Sequence, residues 1–447
     1  MMKLKLTGSS DSHPGFSLTI LPVVLLCVCG VAWGGEPESI PGIGPSESTL
    51  YCQQRVHDDY LNGTNDAIDQ PSDIDPNEPI HPQGDAFHGL SLVTLPPGIV
   101  TPAWKCTQTN QCQDDAGDTP RGTALLWIPD GTSNKTPRIL FIHGGSWYYG
   151  SPWTNGYPTF AAKLARRMGM PVLAIDYTLA PVGHFQKIIG QVGAAVNFLA
   201  THDPLDLRAG DFSNTNPPTH APPLFILGDS SGGGTAVSAL VAQASPRGLR
   251  GAQGAVLSGG VVFSPWINLV SNSPTYVSNL FAVQEQDHYL LGDIAFGMYD
   301  VESSLSADQK NAKDYLGRAS LRNRIANPFF ARDRWLAKLA PIAFHVGAPE
   351  LLLSDSSILA SRISRQGGSV EFHQYDGMWH DFPMYEDGCG SGETVVLARS
   401  AFSATRKFLY GIAKKKPILC GKTPCYYGHY EYPQGHDTAR GLSSFSD

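Results

Sequence analysis

One stretch limits what this chain can fold into: Pro223-Leu224-Phe225-Ile226-Leu227-Gly228-Asp229-Ser230-Ser231-Gly232-Gly233-Gly234. Its apolar start reads as a buried strand. The chain then breaks at glycines and restarts as Thr235–Ala244, small and apolar, which suits a packed helix. At the break stands Gly228-x-Ser230-x-Gly232. In so tight a strand–turn–helix the central serine is forced into a strained backbone, and side chains two residues to either side would clash. The hydroxyl of Ser230 is left exposed as a candidate nucleophile. The amide of Ser231 points from the new helix N-terminus towards developing negative charge. Glycine supplies 47 of 447 residues, so the triplet alone is weak, and the strand before it and helix after it carry the reading.

Further strand-like runs fall at Thr123–Ile128, Arg138–Ile142, Pro171–Ile175, Ala255–Phe263, Ile342–Val346 and Ser369–Gln374. Helical segments at Tyr157–Met168, Ile188–Leu199, Ile358–Arg365 and Thr394–Tyr410 separate several of them. This alternation predicts an α/β fold with a mostly parallel sheet and helices on both faces, its active residues on loops at the carboxyl ends of the strands. Residues 35–120, rich in Pro, Asp, Asn and Gly, read as an irregular extension. Residues 121–412 read as the main domain, with Ser271–Lys338 as an insertion and 413–447 as a peripheral tail.

A serine hydroxyl needs a base, and the base needs an orienting acid. His380 follows the final strand expected from the sequence and precedes the last helix, where the base belongs after an elbow. Two acids precede it. Glu350 stands at a strand end and is preferred. Asp355, five residues on, is the alternative, in a first helical turn where an acid also serves the helix dipole. His143-Gly144-Gly145 closes another strand, and its glycines let backbone amides approach a substrate oxygen. Gly144 and Gly145 with Ser231 make a three-donor oxyanion hole.

The N-terminus reads as a targeting segment over residues 1–34: Lys3 and Lys5, the apolar run Phe16–Val31, then Ala32-Trp33-Gly34. Cleavage and secretion are preferred; a signal anchor is the other reading. Outside the leader the chain has six cysteines, Cys52, Cys106, Cys112, Cys389, Cys420 and Cys425. An even number suits disulfides and an oxidising compartment, with Cys106/Cys112 and Cys420/Cys425 close enough for local bridges among many pairings. Sequons at Asn62 and Asn134 fit a glycoprotein. A net charge of −8 without basic clusters argues against nucleic acid, and no zinc-type cysteine–histidine spacing occurs.

Taken together, His143-Gly144-Gly145-Ser146-Trp147, Asp176-Tyr177-Thr178-Leu179-Ala180-Pro181, Gly228-Asp229-Ser230-Ser231-Gly232-Gly233, Ser264-Pro265-Trp266 and Trp379-His380-Asp381-Phe382 resemble the hormone-sensitive-lipase-like branch of the α/β-hydrolase fold. The resemblance spans about Thr123–Tyr410. It implies Ser230 as nucleophile, His380 as base, Gly144, Gly145 and Ser231 as oxyanion donors, and a helical cap in the insertion. It also implies carboxylesterase activity on short or medium acyl chains, small-molecule ester substrates, and no cofactor or metal. The departures are Ser146 where a third glycine is common, Glu350-Leu351-Leu352 where Asp-Pro-Leu is common, Val182 after Leu-Ala-Pro, and Asp381 where glycine usually follows the histidine. The His-Gly-Gly-Ser-Trp form also looks like that of kynurenine formamidases, so amide or formamide hydrolysis is the alternative enzyme reading. A non-catalytic hydrolase-like binding protein is the alternative from another class.

Overall fold

The computed structural model describes residues 47–62, 67, 87–95, 100, 124–213, 222–280, 283–284, 290–295, 301–414 and 425–430. Its sheet strands are β1 (Leu90–Leu95), β2 (Ala124–Pro129), β3 (Arg138–Ile142), β4 (Val172–Ile175), β5 (Leu224–Asp229), β6 (Gly259–Phe263), β9 (Ile342–Gly347), β10 (Val370–Tyr375) and β11 (Cys425–Tyr430). A separate two-stranded ribbon is formed by β7 (Val283–Gln284) and β8 (Leu290–Leu291). The nine-stranded sheet has the order β1-β2-β4-β3-β5-β6-β9-β10-β11. Pairing is antiparallel for β1 with β2 and for β2 with β4, and parallel from β4 onwards. The expected mostly parallel sheet is therefore present.

The helices are α1 (Glu47–Asn62), α2 (Tyr157–Met168), α3 (Phe185–Thr201), α4 (Pro204–Arg208), α5 (Ser230–Ala244), α6 (Thr275–Ser278), α7 (Val301–Leu316), α8 (Asp333–Leu336), α9 (Leu353–Arg365) and α10 (Val396–Ala413). Burial on both faces explains why the strands read as unbroken apolar runs. In β5, Leu224 and Ile226 enter one core cluster, where α3, α5 and α9 also bury their apolar faces. Phe225 and Leu227 enter the opposite one with α2 and α10. Arg138 at the start of β3 is fully buried, and its guanidinium donates to the carbonyls of Leu199 and His202, which close α3.

Three segments depart from the expected plan. The extension contains α1 and β1, and the tail contains β11, which pairs with β10. Helix α1 escapes a periodicity search because its buried face is Thr49, Cys52, Gln53, Val56 and His57, mostly polar. That face packs on a small third cluster with Met378, Trp379 and Phe382, the residues flanking His380. A disulfide between Cys52 and Cys389, 337 residues apart with Cα atoms 5.2 Å apart, fixes α1 there. Loss of such a bridge typically costs about 2–5 kcal/mol. The side chains of the two proposed local bridges, Cys106/Cys112 and Cys420/Cys425, lie outside the described residues, as does the leader. Among the described residues no helix is long and apolar enough to cross a membrane.

Candidate active site

The elbow forms where the sequence places it, between β5 and α5. Ser230 has φ 48°, in the left-handed region that a non-glycine residue rarely occupies. Its glycines are required by close backbone approach. A Cβ on Gly228 would lie 2.6 Å from the Gly232 carbonyl, and one on Gly232 only 2.2 Å from the Ile142 oxygen. The backbone oxygen of Ser230 accepts the Trp266 N–H at 2.9 Å, which ties the elbow to the loop after β6.

The triad candidates stand at the carboxyl ends of three strands, Ser230 after β5, Glu350 after β9 and His380 after β10. His380 Nδ1 lies 3.2 Å from Glu350 Oε2. The other Glu350 oxygen, Oε1, accepts from the Gly347 N–H and from Ser264 Oγ at 2.8 Å. Both residues are buried. Burial pushes the Glu350 carboxyl up to about 7, against the hydrogen bond from His380. Burial alone would lower His380, but the carboxylates of Asp381 and Glu350 outweigh it and hold the imidazole well above its ordinary value.

Asp355 goes elsewhere. It sits in the first turn of α9, where Oδ1 accepts from Asn268 Nδ2 at 2.9 Å and from Ser273 Oγ. It anchors the start of the insertion. Burial raises it to about 6.

The glycine loop after β3 corrects one expectation. The Gly144 N–H donates to Tyr157 Oη at 2.9 Å and to Asp229 Oδ2 at 3.1 Å. It is spent on the scaffold and is not an oxyanion donor in this structure. The glycine is needed for close approach, since a Cβ there would stand 2.9 Å from the Ser230 Cβ and 2.4 Å from Asp229 Oδ2. Gly145 (φ 93°) and Ser146 (φ 53°) follow in left-handed conformations, and neither N–H has an acceptor among the described residues.

Several residues that sequence reasoning gave no catalytic-site role hold this loop in place. Tyr177 Oη donates to the His143 carbonyl at 2.9 Å and stacks on the imidazole, ring centroids 4.3 Å apart. Burial pushes His143 down to about 4, so the ring is neutral and its Nδ1–H donates to the Gly144 oxygen at 2.9 Å. The Trp147 N–H donates to Ser231 Oγ at 3.1 Å, and its indole N–H to Thr235 Oγ1 at 2.9 Å. Tyr315 of α7 stacks on Trp147 at 3.9 Å, bringing the insertion over the loop.

Ser264 links two of these loops. Its hydroxyl donates to Glu350 and accepts the Asp381 N–H at 3.0 Å, and the residue is buried with φ 44°, in the left-handed region. The Ser-Pro-Trp signature marked the position without revealing this geometry. Ser264→Ala is expected to lower kcat on the order of 10-fold with KM little changed, because it removes one hydrogen bond to a carboxylate. Steady-state kinetics on an aryl ester checks this; an unchanged kcat would remove Ser264 from the site. No group of three or more His, Cys, Asp or Glu side chains placed to hold a metal occurs among the described residues.

Comparison with known proteins agrees with this architecture. Residues 139–384 match the family described as alpha/beta hydrolase fold. The chain belongs to the alpha/beta-hydrolase fold family. An acetyl-hydrolase from Streptomyces hygroscopicus is 26% identical over 72% of this chain and 86% of its own length. An esterase from Acinetobacter venetianus is 26% identical over 57% of this chain and 70% of its own. Among solved structures, an esterase of the bacterial hormone-sensitive lipase family aligns over 82% of this chain and all of its own, with a TM-score of 0.53 and 20% identity. That likeness bears on the fold.

Proposed function

We propose that this chain is a carboxylic-ester hydrolase working through an acyl-enzyme on Ser230. The observation that carries the reading is the strained elbow serine at the carboxyl end of β5, with the buried His380–Glu350 pair, its Nδ1 and Oε2 3.2 Å apart, following β10 and β9 of the same parallel sheet. The names of the acetyl-hydrolase and esterase relatives support an ester as substrate.

In this mechanism Ser230 Oγ attacks the ester carbonyl carbon as its proton passes to His380 Nε2. Glu350 holds Nδ1–H and stabilises the imidazolium that forms. The tetrahedral oxyanion takes hydrogen bonds from the amides of Ser231, Gly145 and Ser146, the last replacing the committed Gly144. His380 then gives its proton to the departing alkoxide, and a water molecule, deprotonated by His380, releases the acid from Ser230.

Labelling with a fluorophosphonate, with the adduct mapped by mass spectrometry, tests the reading. An adduct on Ser230, absent in Ser230→Ala, is expected. Folded protein that takes no label at Ser230 would sink it and favour a binding role. Hydrolysis of N-formyl substrates in preference to aryl esters would move the substrate class to amides.

We also propose that the protein is exported, as a glycoprotein cleaved after its leader. The Cys52–Cys389 bridge supports an oxidising compartment, and the sequon residues Asn62 and Asn134 are exposed. Protein recovered from the medium should begin near residue 35; a retained N-terminus would mean an anchor.

A further inference from the structure

We propose that Asp381 is a positioning residue that holds Nε2 of His380 at rest and so sets the pH at which the imidazole becomes a base; this rests on the acyl-enzyme reading above. Asp381 Oδ2 lies 3.1 Å from His380 Nε2, while Glu350 Oε2 lies 3.2 Å from Nδ1 on the other side of the ring. A neutral imidazole has one donor and one acceptor nitrogen. With a carboxylate oxygen at each nitrogen, only the doubly protonated ring satisfies both. In that form Nε2 has no lone pair for the Ser230 proton. Before the enzyme can react, water must take the Nε2 proton, and the freed lone pair then faces Asp381 unless that side chain swings aside.

The carboxylate is well placed to resist. Its backbone is pinned in a left-handed conformation, φ 56°, with the N–H on Ser264 Oγ. Asp381 is only 8% exposed, so water screens its attraction to the ring weakly. Its second oxygen, Oδ1, is buried with no hydrogen-bond partner among the described residues, leaving the charge directed to the imidazole.

The surrounding groups supply no positive charge to offset this bias. Facing His380 or Asp381 are Glu350 after β9, Asp229 at the elbow, Tyr60 of α1, Tyr157 of α2 and Tyr385 after His380, with Asp293 before α7 facing Glu350 and Tyr60. None of these is a cation. Burial and the nearby Asp381 charge hold Asp229 well above the usual carboxylate range. Asp381 is therefore the acid in contact with Nε2, and the one whose removal should free it. Catalysis needs the deprotonated ring, so a carboxylate that favours the imidazolium moves the acid limb of activity to higher pH.

The test is the pH dependence of fluorophosphonate labelling of Ser230 in the full chain, for wild type, Asp381→Gly and Asp381→Asn. Glycine and asparagine both accept a left-handed backbone, so each variant keeps the turn. The midpoint should fall by about one pH unit in both variants, making labelling about tenfold faster at pH values well below the wild-type midpoint. Thermal melting reports whether each variant is folded, and if the glycine variant is not, the asparagine variant decides. A midpoint that stays or rises while Ser230 still labels overturns the role of Asp381 and leaves the acyl-enzyme reading intact. Folded wild-type protein that takes no label at Ser230 at any pH overturns both.

Discussion

Ser230→Ala is expected to lower kcat for ester hydrolysis on the order of 10⁵-fold or more, with the melting temperature close to wild type. The two halves of that expectation have separate causes. Turnover depends on the hydroxyl, because without it there is no covalent intermediate and His380 and Glu350 have no proton to take. Stability depends on the backbone, whose φ of 48° is imposed by the contacts of Gly228 and Gly232 with neighbouring chain. Alanine inherits the same strain. The residual rate would come from the oxyanion amides and from substrate positioning. A variant retaining more than about one thousandth of wild-type kcat would place the nucleophile elsewhere.

Much of this site was legible because its parts are local. Strand, glycine, serine, glycine and helix lie within a dozen consecutive residues, and steric rules for so tight a turn leave few alternatives. The strands were legible for the same kind of reason: burial on both faces makes Arg138–Ile142 and Leu224–Leu227 read as apolar runs. Direction was not legible. The glycines at 144 and 145 announce a close backbone approach, but which N–H faces the substrate depends on Tyr157 and Asp229, placed there by α2 and β5. Long-range convergence was hidden as well. Ser264 and Asp381 meet across 117 residues and Cys52 and Cys389 across 337, and nothing in spacing or composition selects those pairs. Helix α1 was missed because its buried face is held by a disulfide and polar contacts in place of an apolar stripe.

Glu350→Gln should reduce kcat by about 10⁴-fold, while Asp355→Asn should leave it within a few-fold of wild type. The contrast follows from what each oxygen accepts. Glu350 Oε1 takes two donors, the Gly347 N–H and the Ser264 hydroxyl, so a glutamine carbonyl oxygen is drawn to that side. Its amide NH₂ then faces His380 Nδ1, which must become the acceptor. The ring proton moves to Nε2, the nitrogen that has to receive the Ser230 proton, and the negative charge that stabilises the imidazolium is gone as well. In Asp355→Asn the carbonyl oxygen keeps both bonds of Oδ1, from Asn268 and Ser273, and a buried charge is removed. Steady-state kinetics of both variants, with melting curves to confirm folding, reads the difference. If the loss fell on Asp355→Asn and spared Glu350→Gln, the orienting acid would have to be reassigned. The 3.2 Å contact at Nδ1 would then be a structural hydrogen bond.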